Sequence, residues 1–96
     1  MTETDIQRDI LAYLKLRGIC AWRVNAGRAS YNIRLAPKGT PDIIGYLPDG
    51  RFLGIEVKRP GKNPTPVQQE WHDRARESKC CVFVARSIED VENNLK

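Results

Sequence analysis

Between Ile6 and Leu14, apolar side chains recur at Ile6, Ile10, Tyr13 and Leu14, with polar residues between most of them. That spacing gathers them on one stripe of an α-helix. Thr2 and Asp5 stand three apart at its start, in the capping-box pattern, where a hydroxyl and an acid satisfy backbone N–H groups that the first turn leaves unpaired. Gly18 sits where a C-terminal cap belongs. From Ile19 to Val24 the text changes to Ile-Cys-Ala-Trp-Arg-Val, which predicts a strand. Asn25 to Asn32 is polar, contains Gly27 and predicts a loop, while Ile33 to Leu35 predicts a short strand. Pro37-Lys38-Gly39-Thr40-Pro41 then enforces irregular backbone immediately before Asp42.

The next two apolar runs, Asp42 to Leu47 and Arg51 to Lys58, flank Pro48-Asp49-Gly50. Proline presets φ, aspartate bonds back to the backbone and glycine accepts positive φ, so the two runs predict an antiparallel hairpin. After a loop from Arg59 to Pro64, Thr65-Pro66-Val67-Gln68 opens a second helix, with Thr65 as N-cap, Pro66 at the first helical position and Gln68 closing a capping box. Trp71 and Ala75 are assigned to its core face. Cys80 to Ala85 predicts the last strand, and Ser87 with Asp90 caps a short helix ending near Leu95. The order is αβ(β)ββαβα, a mixed α/β domain over residues 1–96.

A domain of 96 residues buries only about 60 to 65% of its unfolded surface, so reinforcement by a metal or a second subunit is expected, a homodimer first. No apolar run approaches the roughly 20 residues that cross a bilayer, and the acidic, polar start from Met1 to Asp9 is unlike a signal peptide. Three cysteines, two of them adjacent, suit neither a disulfide framework nor a zinc site, and free thiols fit a reducing cytoplasm. The charge is uneven. Residues 23–62 carry eight basic side chains against three acids, while the segments on either side are close to neutral. A basic middle of this kind suits a polyanion.

The hairpin holds the candidate chemistry. Strand alternation turns Ile55 and Val57 to one face and Glu56 and Lys58 to the other. With a three-residue turn, Leu47 lies opposite Arg51, and counting back sets Asp42 opposite Glu56, with Cβ atoms about 4.5 to 5.5 Å apart. Opposed like charges destabilise a sheet unless a cation lies between them, and a hard divalent ion with oxygen ligands fits. Mg²⁺ held by Asp42, Glu56 and the Val57 carbonyl would polarise a phosphate and acidify a water, while Lys58 would orient that water or neutralise developing charge.

Pro41-Asp42, thirteen residues and then Glu56-Val57-Lys58 resembles the PD-(D/E)-x-K nuclease signature. The flanking text, from Thr2-Glu3 and Ile6-Gln7 through Gly39-Thr40-Pro41-Asp42-Ile43-Ile44 to Gln68-x-x-Trp71, is similar to the VRR-NUC branch over nearly the whole chain. The resemblance implies a restriction-endonuclease-like α/β fold: an αβββαβ core with a central mixed sheet flanked by helices, plus a short C-terminal helix. It also implies Mg²⁺ or Mn²⁺ dependence, a DNA substrate and, for stand-alone members similar to Holliday-junction resolvases, a homodimer acting on branched DNA. A first-helix glutamate near the metal, here Glu3, is implied as well, with Gln7 one turn later and Gln68 on the second helix as supporting residues. From the basic middle, Arg23, Arg28, Arg34, Lys38, Arg59 and Lys62 are candidate phosphate contacts, and Tyr31 a residue that stacks on a junction. Trp22 and Trp71 are read as core and His72 as a surface histidine. The expectation is a structure-selective DNA endonuclease; its rivals are a non-catalytic module that binds branched DNA and a flap or other nuclease.

Overall fold

The computed structural model describes residues 1–24, 28–30, 33–34 and 36–96, with backbone alone at 28–30 and 33–34. Helix α1 (Glu3–Leu16) starts at the Thr2/Asp5 capping box, with both reciprocal bonds formed. It buries Ile6, Ile10 and Leu14, and the chain leaves it through Gly18 at φ +73°. Strands β1 (Cys20–Arg23), β2 (Arg28–Ser30), β3 (Ile33–Arg34), β4 (Ile43–Tyr46) and β5 (Phe52–Val57) follow, then helix α2 (Pro66–Glu77), strand β6 (Cys81–Ala85) and helix α3 (Ile88–Asn94). Thr65 and Gln68 cap α2 reciprocally, and the Ser87 hydroxyl accepts the Asp90 N–H at the start of α3.

Four strands form a mixed sheet in the order β1-β4-β5-β6, antiparallel except where β5 and β6 run parallel across the α2 crossover. β2 and β3 pair with each other as a separate ladder. The hairpin register is the one the turn dictates: Tyr46 faces Phe52, Ile43 faces Ile55, and Gly50 takes φ +90°. Ile43, Leu47, Leu53, Ile55, Val57, Phe83 and Ala85 form one core cluster with Ile6, Ile10 and Leu14 of α1 and Val91 of α3. Because β5 is interior to the sheet, every residue from Leu53 to Val57 is buried, with alternate positions turned toward α2. Glu56, at 1% exposure, is among those turned that way.

Three local expectations change. Part of the polar stretch predicted as a loop, Arg28–Ser30, is a strand, because it finds a partner in Ile33–Arg34; strand pairing overrides composition. Trp22, assigned to the core, is 50% exposed. β1 is an edge strand whose Ala21 packs against the core cluster, so alternation turns Trp22 to the opposite face, where α2 packs along β6 at the far edge. His72, assigned to the surface, is completely buried, and it is the one residue of α2 that is. The helix packs through a face centred between Gln68, Trp71 and Ala75, all half-buried, and His72 lies within that arc. Trp71 is only half-buried, its ring 6.2 Å from that of Phe52.

Candidate active site

Asp42 stands where β4 begins, clamped from both sides. Its carbonyl accepts the Val24 N–H at 2.8 Å, and its carboxylate accepts the Val57 N–H at 2.8 Å. The Pro37–Pro41 loop sets its approach: the Thr40 hydroxyl donates to the Pro37 carbonyl at 2.6 Å, and Gly39 at φ +88° lies so close to α2 that a Cβ there would stand 2.7 Å from the Val67 carbonyl oxygen. Continuing the Ile43–Ile55 register by one step brings Asp42 opposite Glu56. That register sets the two carboxyls on one face of the hairpin, and the Asp42 charge is felt at Glu56.

Burial decides the state of this pair. Loss of water around Glu56 is the largest influence, followed by the neighbouring Asp42 carboxylate; together they push its pKa to about 9 against the opposing pull of Lys58. Lys58 Nζ lies 4.0 Å from Glu56 Oε2, with its side chain 14% exposed. An ammonium at that distance, still partly in water, does not offset the desolvation of a buried carboxyl. At neutral pH without a cation, Glu56 therefore keeps a proton.

On the α2 side, His72 Nε2 lies 3.7 Å from Glu56 Oε1. Burial pushes the imidazole pKa down, helped by the Arg76 charge, so the ring is neutral. At the end of β5, Lys58 N–H donates to the Ala85 carbonyl, and Val57 is in register with Ala85. In a parallel ladder that arrangement turns the N–H and C=O of Val57 itself away from β6, toward Asp42. Glu3, in the first turn of α1, accepts the Arg59 N–H at 3.1 Å, and its charge is felt at Glu56.

Asp42, Glu56, Val57, Lys58 and Glu3 thus converge on the end of the hairpin. Gln68 commits its amide oxygen to the Thr65 N–H at 2.8 Å. Gln7 is half-buried on α1 and makes no hydrogen bond to these groups among the described residues. Arg23, at the end of β1 opposite Ile43, is exposed, as are Lys38, Arg59 and Lys62. Tyr31 and the side chains of Arg28 and Arg34 lie outside the described residues. His72 is the site neighbour that sequence reasoning missed. The available signal was its place inside the Gln68–Trp71–Ala75 arc, since histidine has no strong burial preference of its own to decide the matter.

The VRR-NUC domain model matches residues 1–89, the stretch that contains every group of this site. The chain belongs to the VRR-NUC family. A relative named "Putative nuclease p44", from Acyrthosiphon pisum secondary endosymbiont phage 1, is 33% identical over 73 residues, spanning 75% of this chain and 69% of that protein. A solved structure titled VRR_NUC domain superimposes with TM-score 0.75 at 26% identity, covering 97% of this chain and 92% of its own. A second, a VRR_NUC domain protein at 20% identity, shares the fold with TM-score 0.64 over 99% of this chain and 85% of that one. The VRR-NUC fold is thus the restriction-endonuclease-like arrangement anticipated from the sequence, and the family marks the chain as a nuclease. No helix among the described residues is long and apolar enough to cross a membrane.

Proposed function

We propose that this VRR-NUC chain is a divalent-metal-dependent DNA endonuclease that acts on branched DNA as a homodimer, with Asp42, Glu56 and Lys58 as its catalytic residues. The observation that carries the reading is half-buried Asp42 in register with buried Glu56, with Lys58 alongside. A pair of carboxyls, one of them unable to ionise on its own at neutral pH, is a poor structural device and a good cation trap. Among the described residues no three His, Cys, Asp or Glu side chains gather as a complete ligand cage. Mg²⁺ and Mn²⁺ retain waters and accept substrate phosphate as a ligand, so two carboxylates and a backbone carbonyl are enough to seat one. Glu56 Oε1 is buried without a hydrogen-bond partner, a further sign that this carboxyl awaits a charge.

Asp42, Glu56 and the Val57 carbonyl would hold the ion, with Glu3, whose charge is felt at Glu56, as a further ligand. Bound there, the ion supplies Lewis acidity toward a phosphodiester and toward the attacking water. The protein's own part is to fix that water and the phosphate relative to each other. Lys58 projects from the same strand face as Glu56 and neutralises charge that builds on the phosphate oxygens. Arg23, Lys38, Arg59 and Lys62 attract and seat the DNA backbone, contributing affinity without base preference. Tyr31, Arg28 and Arg34 are further DNA contacts in this reading of the basic middle of the chain.

The test is a cleavage panel of four-way, flap, single-stranded and duplex DNA with Mg²⁺ or Mn²⁺, run beside sedimentation of the protein. Cutting of branched substrates, abolished by chelation and by Asp42→Asn, is expected from a dimer. Tight metal-independent binding of branched DNA with no cleavage of any substrate would instead identify a binding module.

A further inference from the structure

Three buried side-chain polar atoms among the described residues lack hydrogen-bond partners, and all three belong to one contact: Glu56 Oε1, His72 Nε2 and His72 Nδ1. Leaving buried polar atoms unpaired is costly, and a leucine at position 72 would fill the same place on α2 without that cost. Histidine is therefore unfavourable here for the metal-free fold. The gap from Nε2 to Oε1 is 3.7 Å, too long for a hydrogen bond but closed by a small rotation of either side chain.

We propose that His72 is a positioning residue: its Nε2–H donates to Glu56 Oε1 and thereby holds the other carboxylate oxygen toward Lys58 and the cation. The inference rests on the reading of Asp42 and Glu56 as the metal pair. Once Glu56 is ionised against a cation, its inward oxygen needs a donor, and the Glu56 side chain is only 2% exposed, so water does not supply one. Lys58 lies on the Oε2 side. His72 is the polar group placed at Oε1, and the Trp71 ring, edge-on at 85°, stands beside the imidazole. A neutral imidazole with the proton on Nε2 suffices, and a charge-assisted bond of this kind is among the stronger ones in proteins. With 0% exposure the ring touches neither substrate nor attacking water, so its action runs through Glu56 alone. Carboxylates that bind metals are commonly held by such outer partners, and removing one typically weakens metal binding 10- to 100-fold.

The experiment compares the whole chain with His72→Phe, which keeps the ring's bulk without a donor, and His72→Gln, whose amide can replace Nε2–H. Mn²⁺ binding is measured by calorimetry without DNA, alongside metal-free melting. His72→Phe should bind Mn²⁺ about 10- to 100-fold more weakly while melting no lower than the parent, and His72→Gln should restore affinity to within about threefold. In cleavage, the Phe variant should lose kcat at unchanged KM for DNA. Parental Mn²⁺ affinity in His72→Phe overturns the proposal, as does equal loss of affinity and melting temperature in both variants, which is the signature of packing alone. A parent chain that takes up no Mn²⁺ overturns the metal reading of Asp42 and Glu56 and this inference with it, whereas a parent that binds beside an unaffected Phe variant overturns this inference only.

Discussion

The Asp42 carboxylate accepts the Val57 backbone N–H at 2.8 Å across fifteen positions of chain, filling the place of a ladder bond just where β4 gives out. One side chain thus closes the hairpin end and sets the spacing between the two acids. The same oxygen that could have gone to solvent fixes the backbone on which Glu56 and Lys58 are mounted.

Asp42→Asn retains an acceptor for Val57 N–H but removes the charge opposite Glu56. Nuclease activity should fall at least about 100-fold, as for loss of a metal ligand or its support, while the melting temperature holds or rises. Asp42→Ala should lose the activity and also about 1 to 3 kcal/mol of stability, the cost of an unsatisfied buried N–H. Cleavage assays and thermal melts on both variants separate the two roles.

Glu56 has its folded-state pKa raised from 4.5 to about 9, chiefly by burial. Its protonation therefore favours the folded state fully below about pH 4.5, and that contribution is lost progressively as pH rises toward 9. Metal-free melts should decline across this window in the parent and much less in Glu56→Gln. Mn²⁺ or Mg²⁺, competing with the proton, should raise the melting temperature more at pH 8 than at pH 6.

Lys58→Met tests whether the ammonium acts on the reacting phosphate or only attracts DNA. Activity should drop about 100-fold under saturating DNA, with salt dependence of binding almost unchanged. A fall of about one unit in the salt slope with little loss of kcat would instead make Lys58 a backbone contact.

Gly39→Ala places a methyl group where a Cβ meets the Val67 carbonyl oxygen at 2.7 Å, in a backbone of φ +88°. The loop before Asp42 must shift away from α2. A loss of about 1 to 3 kcal/mol is expected from strain and overpacking, measured by denaturant melts, together with weakened Mn²⁺ binding because Asp42 moves with the loop.

Much of the fold was legible in the residues because its signals are local. Thr2 with Asp5, and Thr65 with Gln68, cap helices through bonds three residues long. Pro48-Asp49-Gly50 sets the hairpin register, and that register alone brings Asp42 opposite Glu56. The misassigned residues are those whose environment depends on which element lies overhead. Trp22 reads as core until the edge position of β1 and the place of α2 along β6 leave its face open. His72 reads as surface until α2 lies across Glu56 and buries it.

The sequence by itself determined the order of elements, the turn, the sheet register and hence the meeting of two carboxyls beside an amine, since each follows from spacing along a short stretch of chain. Only the tertiary structure decided that Glu56 is buried at this meeting, that burial pushes its pKa up to about 9 and that a neutral histidine waits behind it. Desolvation is the reason: it depends on how many atoms crowd around a group from elements distant in sequence, and no local pattern encodes that number.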